Sequence, residues 1–139
     1  MINGCRIKSW SSTQAIISLS SGEAEFYGIV KSASVALGVQ ATLRDLGVDL
    51  SLEIFTDATA AKGIASRKGL GKTRQIAVHL LWAQERVAKG DFKHTKVWEV
   101  DNPADLLTKH LTREVINNHM QKCGLKYLDG RADEAPKLP

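Results

Sequence analysis

Apolar and polar side chains alternate at residues 5–10, Cys5-Arg6-Ile7-Lys8-Ser9-Trp10, in the period-two pattern of a half-buried strand. A second extended piece follows, Ala15-Ile16-Ile17-Ser18-Leu19, and the two together predict one bent strand or a small hairpin. The period then changes. Ser20-Ser21-Gly22-Glu23 reads as a capping box, in which the Ser20 hydroxyl takes the amide of residue 23 and the Glu23 carboxylate returns to the amide of Ser20. Behind it Phe26, Ile29, Val30, Ala33, Leu37 and Leu43 share one side of a long helix, which Gly47 closes with a left-handed cap.

Leu52-Glu53-Ile54-Phe55 predicts a short strand that runs without a break into Thr56-Asp57, and a second helix is expected over about 59–66. A basic, glycine-containing loop separates it from a third helix over 74–89, ended by Gly90, with Ile76, Leu80, Ala83 and Val87 as its core face. Residues 92–100 alternate again and predict a last strand. Asn102-Pro103-Ala104-Asp105 then starts a helix, with Asn as cap and Pro in the first turn, that carries Leu106, Leu107 and Leu111 and continues irregularly to Ile116. The expected division is a domain over 1–116 and a poorly ordered extension over 117–139. Strand, long helix, strand, helix, loop, helix, strand, helix is the order of an α/β chain.

Composition adds little to this. A chain of 139 residues with 43% hydrophobic and 24% charged residues has the size and balance of one globular domain with a single core. The charge of +4 and the pI near 9.2 fit a polyanionic partner such as nucleic acid, though solvated surface lysines are the commoner explanation of such a balance. Cys5 and Cys123 lack a metal-binding spacing, so free thiols in a reducing compartment and no structural zinc are expected. With no membrane-length apolar run and no signal-peptide pattern, the expectation is a soluble intracellular protein of cytoplasm or nucleus, with no membrane partner.

The acids carry the chemistry. Glu23 and Glu25 stand at the start of the long helix, Asp57 at the end of the middle strand and Asp105 at the start of the last helix. If the strands are parallel neighbours, these positions meet at one rim, where ligands of open α/β sheets collect. Magnesium favours such a place, because it takes one or two carboxylates and fills its octahedron with waters and substrate oxygens. Two ions about 4 Å apart can activate a water and stabilise the leaving oxygen of a phosphodiester. Each acid also has a simpler role: Glu25 as a solvated helix residue, Asp57 as a helix cap, Asp105 as a first-turn acid favoured by the helix dipole.

Four segments together carry a resemblance: Ile7-Lys8-Ser9-Trp10-Ser11-Ser12-Thr13-Gln14, Leu19-Ser20-Ser21-Gly22-Glu23-Ala24-Glu25-Phe26-Tyr27, the strand ending in Asp57, and Asn102-Pro103-Ala104-Asp105-Leu106-Leu107-Thr108-Lys109. In order and rough spacing, over residues 6–112, the chain resembles the ribonuclease H domain of copia-type LTR retrotransposon Pol polyproteins. The resemblance implies a ribonuclease H-like fold, a mixed sheet with helices on both faces. It also implies hydrolysis of the RNA strand of RNA–DNA hybrids with Mg²⁺ or Mn²⁺ held by Glu25, Asp57 and Asp105, and a reverse transcriptase portion of the same polyprotein as neighbour. Glu25, not Glu23, matches the family's helix acid, and Glu23 is already engaged as the partner of Ser20. One departure is large: the family opens with two strands, the first bearing a catalytic Asp, and no Asp here precedes Asp45. A fragment or decayed reading frame is therefore expected, lacking the first two strands and with weak or no activity alone. A strand-complementing partner would find an open sheet edge. A smaller departure is Gln75 and Ala77 where the family has His and Asp.

Arg67, Lys68, Lys72 and Arg74 flank the basic loop, and Trp82 and Arg86 follow on the third helix. Such residues suit a nucleic-acid groove through salt-sensitive phosphate contacts and stacking. Half-buried packing for Trp82 and an ordinary solvated turn for the loop are the alternative. His79, His94, His110 and His119 have no metal-ligand spacing, and only His110 lies near enough to Asp105 in sequence to suggest substrate contact. A non-catalytic nucleic-acid-binding or interaction module that kept the shape and lost the chemistry is the rival to the enzyme. A plain α/β scaffold is the third reading.

Overall fold

A computed structural model describes residues 1, 2, 4, 6–72 and 76–126. The chain divides into two compact units, one over Ser12–Asn102 and a smaller one built from the residues on either side of it.

The larger unit is ordered around helix α1, Ser21–Asp45. It begins where the capping pattern places it, and the chain leaves it through Gly47 at φ 79°, a backbone state that costs a residue with a Cβ about 1 kcal/mol or more. Phe26, Ile29, Val30 and Ala33 are buried as the stripe predicts, while Leu37 and Leu43, nearer the far end, are half-buried. Strand β1 is Glu53–Thr56, helix α2 is Thr59–Ser66, helix α3 is Trp82–Lys89, and strand β2 is Lys93–Lys96. The strands pair in parallel, in register from Glu53 opposite Lys93 to Thr56 opposite Lys96. The crossover between them runs through α2 and α3, the connection that parallel neighbours require. Helix α1 packs on α2, and both contact β1. Phe26, Ile54, Ile64, Ile76, Ala83 and Phe92 close one core between helices and sheet. Each large apolar side chain buried there contributes about 1.5–3 kcal/mol.

Four expectations are corrected. Residues 6–19 carry no strand; Ile17 is 89% exposed, and no neighbouring strand lies there to satisfy an extended backbone. Second, among the described residues the sheet has two parallel strands, not a mixed set, and one of its faces is open: Ile54 and Thr56 are buried, while Phe55 remains 59% exposed. Third, residues 74 and 75 of the expected third helix lie outside the described residues, and from Ile76 on the α-helix starts only at Trp82. Ala77 is extended at φ −59°, ψ 122°, which sends Ile76 into the core and leaves Val78–Leu80 as a 3₁₀ turn. Fourth, the last strand stops at Lys96; beyond it Trp98 lies exposed before the 3₁₀ turn Glu99–Asp101, and Val100 lies exposed within it.

The smaller unit holds the 3₁₀ turn Pro103–Leu107 and helix α4, Arg113–Lys122, which pack on each other. The irregular helix expected through Ile116 is thus two elements, because Thr112 caps a new start by accepting the Val115 amide at 3.5 Å. Helix α4 crosses the boundary expected at 116/117, and residues 127–139 of the expected extension lie outside the described ones. Cys123 is free and buried at its end. No helix among the described residues is long and apolar enough to cross a membrane.

Candidate functional site

The start of α1 meets the first turn of α2, the helix that follows β1. Gly22 lies so close to α2 that a Cβ on it would stand 2.8 Å from the Ala60 Cβ, and Ala60 is three residues beyond Asp57. Ser20 Oγ accepts the Glu23 amide at 3.2 Å, as the capping pattern predicts. The reciprocal bond is shifted by one residue: Glu23 Oε2 accepts the amide of Leu19, at 3.0 Å. Glu23 Oε1 accepts the Tyr27 hydroxyl at 2.5 Å. The Glu23 side chain is only 1% exposed, whereas Glu25, about 160° away from it by helix geometry, is exposed. Burial pushes the Tyr27 phenol up to about 12, helped by the hydrogen bond to Glu23 and by that carboxylate's charge.

Asp57 is half-buried and is not the cap of α2. Ala58 occupies the N-cap position without a side-chain bond, and the Thr56 hydroxyl accepts the Ala58 amide at 3.2 Å. The Asp57 carboxylate instead faces Asn102, whose Nδ2 stands 3.4 Å from Oδ2. Sequence reading gave Asn102 a capping role and missed this link across the unit.

Asp105 belongs to the smaller unit. It is 7% exposed, and its Oδ2 is held by Lys109 Nζ at 3.1 Å, one helical step away. A carboxylate with an ammonium on it is poorly disposed to a second cation. Among the described residues no group of three or more His, Cys, Asp or Glu side chains is gathered for a metal ion. Glu25 and Asp57 belong to the larger unit and Asp105 to the smaller.

The basic face is also rearranged. Arg67 turns inward, its Nη2 donating to Leu70 O at 2.5 Å, while Lys68 and Lys72 are exposed. Arg74 lies outside the described residues. Trp82 is half-buried and packs against the core, the packing alternative. Arg86 donates from Nη1 to Asp91 Oδ2 at 2.8 Å, and both line an open groove of about 550 Å³ with Leu37, Gln40, Arg44 and Glu53. The buried residue that sequence reading missed is Gln84, which bonds the backbone of the basic loop. Its signal was a polar side chain between Leu80 and Val87 on an otherwise apolar face. Of the histidines, His94 Nε2 lies 2.8 Å from Ser66 Oγ, His119 is buried, and His79 and His110 are exposed.

No family model matches the chain, and no solved structure matches it. Among curated proteins it is similar to a retrovirus-related Pol polyprotein from transposon TNT 1-94 of Nicotiana tabacum, with 28% identity over 121 residues. That similarity supports a retrotransposon Pol origin. It covers 80% of this chain and 9% of the relative, so the chain spans only a small part of that polyprotein's length.

Proposed function

We propose that the chain belongs to a copia-type ribonuclease H-like domain and that it binds RNA–DNA hybrid through its basic loop without cleaving it unaided. The reading rests on one observation above the others. In a chain similar to a retrotransposon Pol polyprotein, the first strand of a parallel strand–helix–strand unit runs into Asp57, and the helix that follows touches the start of the helix carrying Glu25. Capping does not account for Asp57.

Two features of the acids support the non-cleaving reading. Lys109 neutralises Asp105, and the described carboxylates are not gathered for Mg²⁺ or Mn²⁺. Hydrolysis of the RNA strand is assigned to a larger assembly, with the reverse transcriptase portion of such a polyprotein as its natural neighbour. The edge of β1 suits a complementing strand. Leu52 O and Thr56 O accept the amides of Lys93 and Val97, so by the alternation of a parallel ladder the peptide groups of Glu53 and Phe55 face away from β2. Among the described residues no strand pairs with that edge, and beside an exposed Phe55 it is a template for another strand.

Titration of the chain into a labelled RNA–DNA hybrid, with and without Mg²⁺ or Mn²⁺, tests this. Salt-dependent binding with an intact RNA strand is the expected result. Cleavage abolished by Asp57→Asn would refute the non-cleaving form, and absence of binding would refute the reading altogether.

A further inference from the structure

The loop over residues 67–72 is fixed from two sides. On α3, Gln84 is 6% exposed and uses its whole amide on the neighbouring backbone. Its Oε1 accepts the Gly69 amide at 2.8 Å, and its Nε2 donates to Ile64 O at 2.9 Å and to Gly69 O at 3.0 Å. From within the loop, Arg67 donates to Leu70 O, and its Nε is shielded from solvent. The guanidinium lies so near Gly71 that a Cβ there would stand 2.9 Å from Cζ, and Gly71 itself sits at φ 58°. Surface connections are ordinarily the most mobile parts of a chain, and this one is tied down by a buried amide and an inward-turned cation. Lys68 and Lys72 remain exposed on that frame.

Resting on the nucleic-acid-binding reading above, we propose that Gln84 and Arg67 are positioning residues. They hold the loop in one shape so that Lys68 and Lys72 meet backbone phosphates without first having to order it. Arg67, which its charge alone would assign to a phosphate, is spent on the loop's own carbonyl. The phosphates fall to the two lysines. Preorganisation raises affinity by removing an ordering cost from the binding step, and for a short loop the gain is about 3- to 10-fold.

Fluorescence anisotropy of a labelled RNA–DNA hybrid, titrated over a range of NaCl concentrations, separates charge from shape. Each variant is measured well below its own unfolding midpoint, checked by circular dichroism. Lys68→Ala with Lys72→Ala should flatten the plot of log affinity against log salt by about 0.9 for each phosphate that is no longer neutralised. Gln84→Met should leave the slope at the wild-type value and weaken binding about 3- to 10-fold. Arg67→Met should do the same although it removes a charge, and it keeps the test alive if Gln84→Met fails to fold. A merely structural Gln84 would lower the melting temperature and leave the affinity of the folded protein unchanged, which would overturn the proposal. So would a flattened slope in Arg67→Met, since Arg67 would then bind a phosphate itself. Wild type that binds without any salt dependence, or not at all, overturns the nucleic-acid reading as well.

Discussion

Replacing Tyr27 by Phe removes one oxygen and leaves the packing of a buried ring unchanged. The missing hydroxyl donates to Glu23 Oε1 at 2.5 Å, and the carboxylate it serves is 1% exposed, so water cannot take its place. Two estimates bracket the cost. A hydrogen bond to a charged group contributes about 1.5–3 kcal/mol. The rise of the phenol from 10.0 to about 12 corresponds to about 3 kcal/mol in favour of the protonated form, but burial is its largest cause, so only part belongs to Glu23. Tyr27→Phe should therefore lower the unfolding free energy by about 2 kcal/mol, read from urea denaturation followed by circular dichroism. A double-mutant cycle with Glu23→Ala should give a coupling of about 1 kcal/mol or more. The pH dependence has a defined sign. A phenol raised in the folded state contributes stability that is fully present below pH 10 and is lost as pH rises through about 12, and Tyr27→Phe should lack that component. A loss under about 0.5 kcal/mol, or a coupling indistinguishable from zero, would show that the short hydrogen bond carries no energy.

Three further outcomes are expected. Gly22→Ala places a methyl 2.8 Å from the Ala60 Cβ and must push α1 from α2, at a cost of about 1–3 kcal/mol in thermal or urea unfolding. Lys109→Met strips the cation from a carboxylate that is 7% exposed and should cost about 1–3 kcal/mol by the same assay. Burial, reinforced by the nearby Lys62, lowers the His94 pKa below 6.5; stability from this residue is present above that value and is lost as pH falls through the folded pKa. Melting temperatures taken from pH 7.5 down to 5 should fall less steeply in His94→Gln than in wild type.

What the sequence disclosed was local. The box at Ser20, the stripe from Phe26 to Ala33, the whole of α2 and the glycine stops at residues 47 and 90 need only neighbours within two turns, and they stand where the pattern puts them. The strands expected over 5–10 and 15–19 failed for the complementary reason. Alternation states which face would be buried if a sheet were present, and it cannot supply the partner strand. The third helix was misread because Ile76, Leu80, Ala83 and Val87 fit one helical face whether or not the backbone breaks, and the break lies at Ala77. Links between distant positions were illegible. Nothing in the spacing connects Asp57 to Asn102, or Gln84 to Gly69, although a lone amide on the apolar face of α3 was a visible sign that some buried backbone needed it.

Asp57 is the acid on which function and scaffold part company, and Asp57→Asn separates them. Thr56 already takes the Ala58 amide and α2 starts without a side-chain cap, so the fold asks nothing of this carboxylate at the helix. An Asn in its place still offers an oxygen to Asn102 Nδ2. The substitution should leave stability within about 0.5 kcal/mol of wild type or raise it slightly. Asp105→Asn is the contrast, because it breaks the ion pair with Lys109 in a buried setting and should cost about 1–3 kcal/mol. An Asp at the end of a parallel strand whose charge the fold does not require is one that helix capping does not explain. Urea unfolding of the two variants side by side decides the matter. If Asp57→Asn loses more than about 1.5 kcal/mol, Asp57 is a structural acid, and the proposed function loses the observation that carries it.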